Sequence, residues 1–202
     1  MDNGKMPGDG LKIYGEAKLP SRFGNFKIYS FKGTPDGKDH IAVVAGDVQG
    51  KEDVLTRVHS ECLTGDVFGS LRCDCREQLE LALDRLRQEG EGVIIYHRQE
   101  GRGIGLANKI KAYELQDQGY NTIEANEKLG FKADQRDYAV VPLILEALGV
   151  KSIRLMTNNP AKLSALRRLG VKITGRVDHH VDPNEYNEFY LETKRVKMGH
   201  WL

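Results

Sequence analysis

The sequence predicts a single α/β domain in which helices cover a mixed β-sheet. In the first half of the chain, short runs rich in β-branched and aromatic residues alternate with glycine and aspartate turns, which is typical of antiparallel strands. In the second half, helical and strand-like periodicities alternate, which favours a sheet covered by helices. The chain has 202 residues and no repeat, low-complexity segment or clear linker. We therefore expect one domain over residues 11–202, after a flexible N-terminus at residues 1–10.

The individual elements are predicted from local patterns. Strands are expected at residues 12–14, 25–31, 40–48 and 54–59. After the cysteines, apolar residues recur at helical spacing up to Leu86, and Gly90 ends that helix. The remaining elements are strands at residues 92–97, 152–157 and 171–177 and helices at residues 104–119, 138–149, 160–170 and 184–198. In the helix at 104–119, the expected inward positions are Ile110, Tyr113 and Leu115.

Composition excludes several classes of protein. Hydrophobic residues make up 40% and charged residues 29%, which is typical of soluble globular domains. The net charge of +1 argues against a nucleic acid as the main partner, since such proteins carry a basic surface. No apolar run approaches membrane-spanning length, and residues 1–10 lack the apolar core of a signal peptide. We expect a cytoplasmic protein without a membrane or nucleic-acid partner.

Three cysteines form the most specific local pattern. Ten residues lie between Cys62 and Cys73, and one lies between Cys73 and Cys75. An odd number of clustered cysteines is a poor plan for disulfides, and three thiolates fit a zinc site that leaves its fourth position open. Alternation along the strand at 54–59 is expected to point His59 away from Cys62. A closed structural site completed by His59 or His97, or three buried free cysteines, stay as alternatives.

Two glycine-rich or basic segments are candidates for anion binding. Residues 99–105 (QEGRGIG) and 157–162 (TNNPAK) each follow a predicted strand and open a helix, whose N-terminus favours phosphate. Arg102 adds a bidentate anion contact, and Thr157 and Lys162 add polar contacts. The alternatives are a simple strand-to-helix turn and a capped helix with a solvent-exposed lysine. A phosphate-cradling loop of the ordinary P-loop type is absent from the sequence. Between these segments, the acid and base at Asp134 and Arg136 favour a surface ion pair when taken by themselves.

Several segments in the same order resemble the GTP cyclohydrolase II family. They are residues 57–66 (RVHSECLTGD), 71–75 (LRCDC), 96–102 (YHRQEGR), 109–119, 133–138 (ADQRDY), 157–160 (TNNP), 190–194 (YLETK) and 197–200 (KMGH). The resemblance covers most of the chain from Ala17 onward. It implies a GTP cyclohydrolase II-like fold, zinc, magnesium with the substrate triphosphate, and a homodimer. It also implies hydrolysis of GTP with release of formate and pyrophosphate, which leaves a diaminopyrimidinone with a 5-phosphoribosylamino group at the first step of riboflavin synthesis.

The resemblance assigns roles to individual residues. It implies zinc ligation by Cys62, Cys73 and Cys75. It implies contacts to GTP from Arg57, Val58, His59, Ser60, Glu61, Gln78, Glu100, Gly101, Arg102, Thr122, Thr157 and Lys162. It implies Asp134 as proton acceptor, Arg136 as proposed nucleophile, and Tyr113 near the metal. The sequence departs from the family pattern at Arg76–Glu77, at Gly103 and in the loop at 178–183, which carries two histidines.

The chemistry of the side chains makes three of these expectations more specific. Three thiolates make zinc a weak Lewis acid, so a neighbour such as Tyr113 is expected to orient water or pass protons. A guanidinium is a poor nucleophile unless it is deprotonated, so Arg136 is equally well interpreted as a phosphate clamp. Glu61, Gln78 and Glu100 are candidates for recognising guanine. The rival interpretations are a nucleotide-binding module with structural zinc, a hydrolase that stops before ring opening, and a redox protein.

Overall fold

The fold is described from a computed structural model that covers residues 10–132 and 134–201. The predicted flexible segment at residues 1–10 lies outside the described residues, apart from Gly10. Ala133 and Leu202 lie outside them as well, and so do the side chains of Phe189, Tyr190, Lys194, Lys197 and Met198.

The described residues build one mixed seven-stranded sheet, as the sequence predicts. Its strands are β1 (Lys12–Ser21), β2 (Gly24–Lys32), β3 (Ile41–Ala45), β4 (Val54–Ser60), β5 (Gly92–His97), β6 (Ile153–Met156) and β7 (Ile173–Val177). The spatial order is β1-β2-β3-β5-β4-β6-β7. From β1 to β5 the neighbours pair antiparallel, and from β5 through β4 and β6 to β7 they pair parallel. The parallel strands therefore end at the same edge of the sheet.

Helices occupy the connections between the strands. They are α1 (Leu63–Asp66), α2 (Cys75–Glu89), α3 (Leu106–Asp117), α4 (Thr122–Lys128), α5 (Val140–Ala147), α6 (Pro160–Arg168) and α7 (Glu188–Met198), with a 3-10 turn at Glu100–Gly103. The longer predicted helices and all predicted strands are present, although β1 runs seven residues beyond the predicted end at residue 14. The sequence interpretation missed α1, α4 and the 3-10 turn. For α4 a signal existed, because Asn121 and Glu124 form a reciprocal capping box.

Helices pack on both faces of the sheet, and β5 shows how. Val93 and Ile95 belong to the apolar cluster that includes Ile144 of α5 and Leu166 of α6. Ile94 belongs to a second cluster with Leu86 of α2. Successive side chains on a strand point to opposite faces, so these neighbours anchor different helices. The predicted architecture of a helix-covered sheet is thus confirmed.

One predicted inward position was wrong. Ile110 was expected to point inward from α3, yet it is 49% exposed. Lys109 and Ala112 are the buried residues of this helix. Among the described residues, no helix combines the length and apolarity needed to cross a membrane.

Candidate active site

A deep cleft lies where the parallel strands end. Its lining includes Cys62, Glu100 and Thr157, which follow the ends of β4, β5 and β6 within three residues. The carboxyl ends of parallel strands are the usual place for ligand binding in sheets of this type. The cleft holds about 1160 Å³ of empty space, counted with its open mouth.

Most of the site residues expected from the sequence line this cleft. They are Arg57, His59, Ser60, Glu61, Cys62, Cys73, Cys75, Gln78, Glu100, Gly101, Arg102, Tyr113, Thr122, Arg136, Thr157 and Lys162. Val58 does not line it, because its side chain points to the opposite face of β4 and is fully buried. Asp134 is not among the lining residues, but its carboxylate pairs with Arg136, which is. Lining residues that the sequence interpretation missed are Arg72, Asp74, Ile104, Lys109, Ala112, Gln116, Asn126, Asn158, Asn159, His179 and His200.

The three cysteines converge on one point in the cleft. Their sulfur atoms all lie within 4.8 Å of one another, and Sγ of Cys62 is 3.6 Å from Sγ of Cys73. Two sulfurs bound to one tetrahedral zinc at about 2.3 Å stand about 3.8 Å apart, whereas a disulfide brings them to about 2.0 Å. The spacing therefore fits a shared metal ion. Hydrogen bonds from Cys73 and Cys75, together with Lys109, hold the pKa of Cys62 well below its usual range.

Within the described residues, no fourth side chain joins this metal group. Nε2 of His59 lies 3.0 Å from Oδ1 of Asp66, and Nε2 of His97 donates to the carbonyl oxygen of Asp137 at 2.9 Å. The Nε2 atoms of both histidines thus have other partners, and neither ring belongs to the group of ligand atoms around the three sulfurs. The arrangement matches the open kind of zinc site, which keeps one position for water.

Asp66 and Gly65 shape the loop that begins at Cys62. The carboxylate of Asp66 accepts hydrogen bonds from the backbone N–H of Cys62 at 3.0 Å and from the hydroxyl of Tyr96 at 2.8 Å, besides its contact with His59. Gly65 is buried against the cysteines, and a Cβ at this position would lie 2.9 Å from Sγ of Cys73. A side chain at position 65 would therefore collide with the cysteine sulfurs.

Tyr113 lies close to the cysteine cluster. Its hydroxyl is 3.2 Å from Oγ1 of Thr64, which in turn lies 3.7 Å from Sγ of Cys62. Burial raises the pKa of Tyr113 to about 12. The phenol thus keeps its proton at neutral pH and is available as a hydrogen-bond donor.

Arg136 and Asp134 form a pair at the cleft wall. Nε of Arg136 donates to Oδ1 of Asp134 at 2.9 Å, and Nη2 donates to Oδ2, while Nη1 donates to Oγ of Ser60 at 3.1 Å. The side chains of Arg136 and Asp134 are 10% and 29% exposed, so this ion pair is partly buried rather than fully at the surface. Burial alone would raise the pKa of Asp134, but the hydrogen bonds and charge of Arg136 hold it below its usual value.

The two predicted anion segments bring positive charge to the same cleft. Gly101 and Arg102 both have left-handed backbones, with φ of 60° and 59°. This conformation is strained for arginine, and such strain clusters at functional sites. Lys162 at the start of α6 is buried, and its Nζ donates to the carbonyl oxygen of Val58 at 2.7 Å. Asn159 caps α6 by accepting from the backbone N–H of Ala161 at 2.9 Å.

A hydrogen-bonded polar cluster forms another part of the cleft lining. Nη1 of Arg57 donates to the carbonyl oxygen of Met156 at 2.9 Å and Nη2 donates to Oε1 of Gln78. Nε2 of Gln78 donates to Asp74 at 2.5 Å. Nε2 of His179 donates to the carbonyl oxygen of Gln78 at 2.8 Å, which fixes the loop at 178–183 against the cleft. Burial lowers the pKa of Arg57 to about 10.

Comparisons with known proteins agree with this geometry. A family model described as GTP cyclohydrolase II matches residues 12–178. The GTP cyclohydrolase-2 of Actinobacillus succinogenes is 56% identical over 187 residues, which cover 93% of this chain and 86% of that protein. The GTP cyclohydrolase-2 of Cronobacter sakazakii is 55% identical over 192 residues, which cover 95% of this chain and 98% of that protein. The riboflavin biosynthesis protein RibBA of Synechocystis is 56% identical over 187 residues, but this chain spans only 34% of its length.

Proposed function

This chain belongs to the GTP cyclohydrolase II family, the hydrolases of the first step of riboflavin biosynthesis, and we propose that its cleft carries out that reaction with zinc at the three cysteines. The reaction opens the imidazole ring of GTP and releases formate and pyrophosphate. The observation that supports this proposal best is the cluster of Cys62, Cys73 and Cys75, which shares one cleft with Tyr113 and Arg136. When bound there, zinc supplies the Lewis acidity that activates the hydrolytic water.

Positively charged side chains of the cleft are suited to bind the triphosphate. Arg102, Arg136 and Lys162 line the cleft together with the N-terminus of α6, where Thr157 also lies. Arginine binds phosphate oxygens bidentately, and lysine acts as a point charge. We assign these residues to the phosphates, with magnesium accompanying the triphosphate.

Glu61 is the best placed of the three candidates for recognising guanine. Oε1 and Oε2 of Glu100 already accept hydrogen bonds from Gly101, Lys109 and Leu63, and both ends of the Gln78 amide are engaged. Among the described residues, the carboxylate of Glu61 pairs with Arg98, whose Nε lies 3.2 Å from Oε1. A carboxylate offers about four acceptor sites, so Glu61 has the most capacity left for the N1 and N2 hydrogens of guanine.

The first experiment is a mass spectrum of the products formed from GTP and magnesium, by the wild type and by Cys73→Ser. We expect the wild type to release both formate and pyrophosphate and Cys73→Ser to release no formate and to carry less zinc. Pyrophosphate release with the formyl carbon retained would instead support the hydrolase that stops before ring opening. Unchanged GTP with folded, zinc-loaded wild type would contradict the proposal and favour the binding module.

We further propose a cytoplasmic homodimer. None of the three cysteines forms a disulfide, which suits a reducing compartment. Val67, Phe68 and Leu71 follow α1 and are 59%, 74% and 49% exposed. Exposed apolar side chains so close together are typical of an interface. Sedimentation of the wild type and of Phe68→Ser tests this, and a monomeric wild type would contradict it.

A further inference from the structure

The ammonium of Lys109 is buried, and the sequence patterns assign no role to this residue. It lies in the first turn of α3, with 9% of its surface exposed. Its Nζ donates to Sγ of Cys62 at 3.1 Å and to Oε1 of Glu100 at 2.8 Å. Both partners lie at the metal group, since Glu100 also accepts from the backbone N–H of Leu63 at 2.6 Å.

A lysine at this position destabilises the helix and the fold unless other contacts compensate. Positive charge in the first turn opposes the helix dipole, and a buried ammonium loses its hydration. Lys109 is retained there by its two charged contacts. One N–H of the ammonium donates to Glu100, which fixes the side chain in place. A second N–H donates to the sulfur of Cys62.

The proposed reaction needs such a neighbour. A zinc ion with three thiolate ligands has a formal charge of −1, so it withdraws little electron density from a water molecule. A hydrogen bond from a cation to one thiolate reduces the charge that the sulfur donates to the metal. Side chains that hydrogen-bond metal ligands tune metal sites in this way.

We propose that Lys109, held by Glu100, withdraws electron density from Sγ of Cys62 and thereby keeps a three-cysteine zinc site acidic enough to activate water. Lys109 is thus a positioning and tuning residue that acts through Cys62. This inference rests on the proposed zinc chemistry, but its central step can be measured without turnover.

The test uses the cobalt-substituted full-length protein, whose thiolate-to-cobalt charge-transfer absorption reports the electron density on sulfur. We expect Lys109→Met to move this band to lower energy, because a more electron-rich thiolate gives up an electron more easily. With zinc bound, we expect the kcat for formate release to fall roughly 10- to 100-fold, with the dissociation constant for GTP near that of the wild type. Lys109→Arg, which keeps a cationic donor, should return the band toward its wild-type position.

Lys111→Met is the matched control, because Lys111 lies on the same helix but pairs with Glu114 at the exposed surface. It should leave both the band and kcat unchanged. If Lys109→Met does not fold, Lys109→Gln should give the same band shift, since its shorter neutral amide does not reach the sulfur.

The outcomes separate this inference from the proposed function. An unmoved cobalt band in folded Lys109→Met, with or without loss of activity, would overturn the role of Lys109. A moved band in a protein whose wild type forms no formate would support the contact with Cys62 while refuting the proposed reaction.

Discussion

Gln99 holds the backbone of Asp137 from both sides. Its Oε1 accepts from the N–H of Asp137 at 2.8 Å, and its Nε2 donates to the carbonyl oxygen of Asp137 at 3.0 Å and to Oδ2 of Asp36 at 3.2 Å. The residue before Asp137 is Arg136, whose guanidinium lines the cleft. The amide of Gln99 therefore fixes the segment that aims Arg136.

We expect Gln99→Leu to impair pyrophosphate release without affecting zinc. Loss of both hydrogen bonds lets the segment around Arg136 move, and a misplacement of about 1 Å costs on the order of 100-fold in rate. Rapid-quench measurement of pyrophosphate, with zinc content determined in parallel, checks this. Gln118→Leu is the control, because Gln118 is exposed at the end of α3. A wild-type rate in Gln99→Leu would show that Arg136 is positioned by other contacts.

Gly65→Ala should weaken zinc binding. The new Cβ would lie 2.9 Å from Sγ of Cys73 and 3.2 Å from Sγ of Cys62, so the ligands would have to separate. We expect the zinc dissociation constant, measured by competition with a chelating dye, to rise by about 10-fold or more. Gly175→Ala is the matched control, since its Cβ meets the nearest atom, Cγ of Arg154, at an ordinary 3.7 Å. Unchanged zinc affinity in Gly65→Ala would mean that the loop adapts without cost.

The cysteine cluster could be predicted from the sequence, whereas its surroundings could not. Cys62, Cys73 and Cys75 lie close together in the chain, and their chemistry allows few other roles. Lys109 contacts Cys62 and Glu100, which are 47 and 9 residues away. A hydrophobic pattern places lysine outside, so the burial of Lys109 depends on tertiary contacts that the pattern does not contain.

One signal for the position of Lys109 on α3 was nevertheless present. Lys109, Ala112, Tyr113 and Gln116 all line the cleft, and their spacing of three, four and seven residues is that of one helical face. Once Tyr113 was expected at the metal, the same face required Lys109. The clamp from Gln99 to Asp137 joins residues 38 positions apart and has no comparable local signal.

Tyr113→Phe should impair formate release while leaving pyrophosphate release intact. The hydroxyl reaches the metal group through Thr64, and its raised pKa keeps it protonated. Without it, we expect zinc and GTP to bind and pyrophosphate to leave, while formate release falls by roughly 10²- to 10⁴-fold, the usual range for loss of a proton-transfer group. Mass spectrometry of the products checks this, with Tyr186→Phe as an exposed control. Full formate release by Tyr113→Phe would remove the hydroxyl from the mechanism.

His179 should make the fold sensitive to acid. Burial lowers its folded-state pKa to about 2, from an ordinary value of 6.5. Between these values the unfolded chain binds one proton more than the folded one, so this stability is complete above about pH 6.5 and is lost as the pH falls toward about 2. We expect the pH dependence of the unfolding free energy below about pH 6.5 to become less steep in His179→Leu, by on the order of 1 kcal/mol per pH unit.

Denaturant unfolding at a series of pH values measures this slope. His180→Leu is the control, because the neighbouring His180 is exposed. Both variants keep the three cysteines, so the effect of acid on metal binding cancels in the comparison. Equal slopes in the wild type and His179→Leu would show that His179 takes up a proton without unfolding.

Arg136 should act as a phosphate clamp rather than as a nucleophile. Its two donor contacts to the Asp134 carboxylate stabilise the charged guanidinium, and a charged guanidinium has no free electron pair for attack on phosphorus. We therefore expect Arg136→Ala to slow pyrophosphate release by about 10²- to 10³-fold, as the removal of one charge-stabilising donor does elsewhere, and Arg136→Lys to recover part of the rate. Arg168→Ala, at the exposed end of α6, is the matched control.

Single-turnover reactions with labelled GTP, quenched in acid, distinguish the clamp from the nucleophile. We expect no covalent guanylyl-protein adduct in the wild type. An adduct that forms in the wild type and is absent from Arg136→Ala would establish nucleophilic attack, and it would require Asp134 to remove a proton that the present geometry holds between the two side chains.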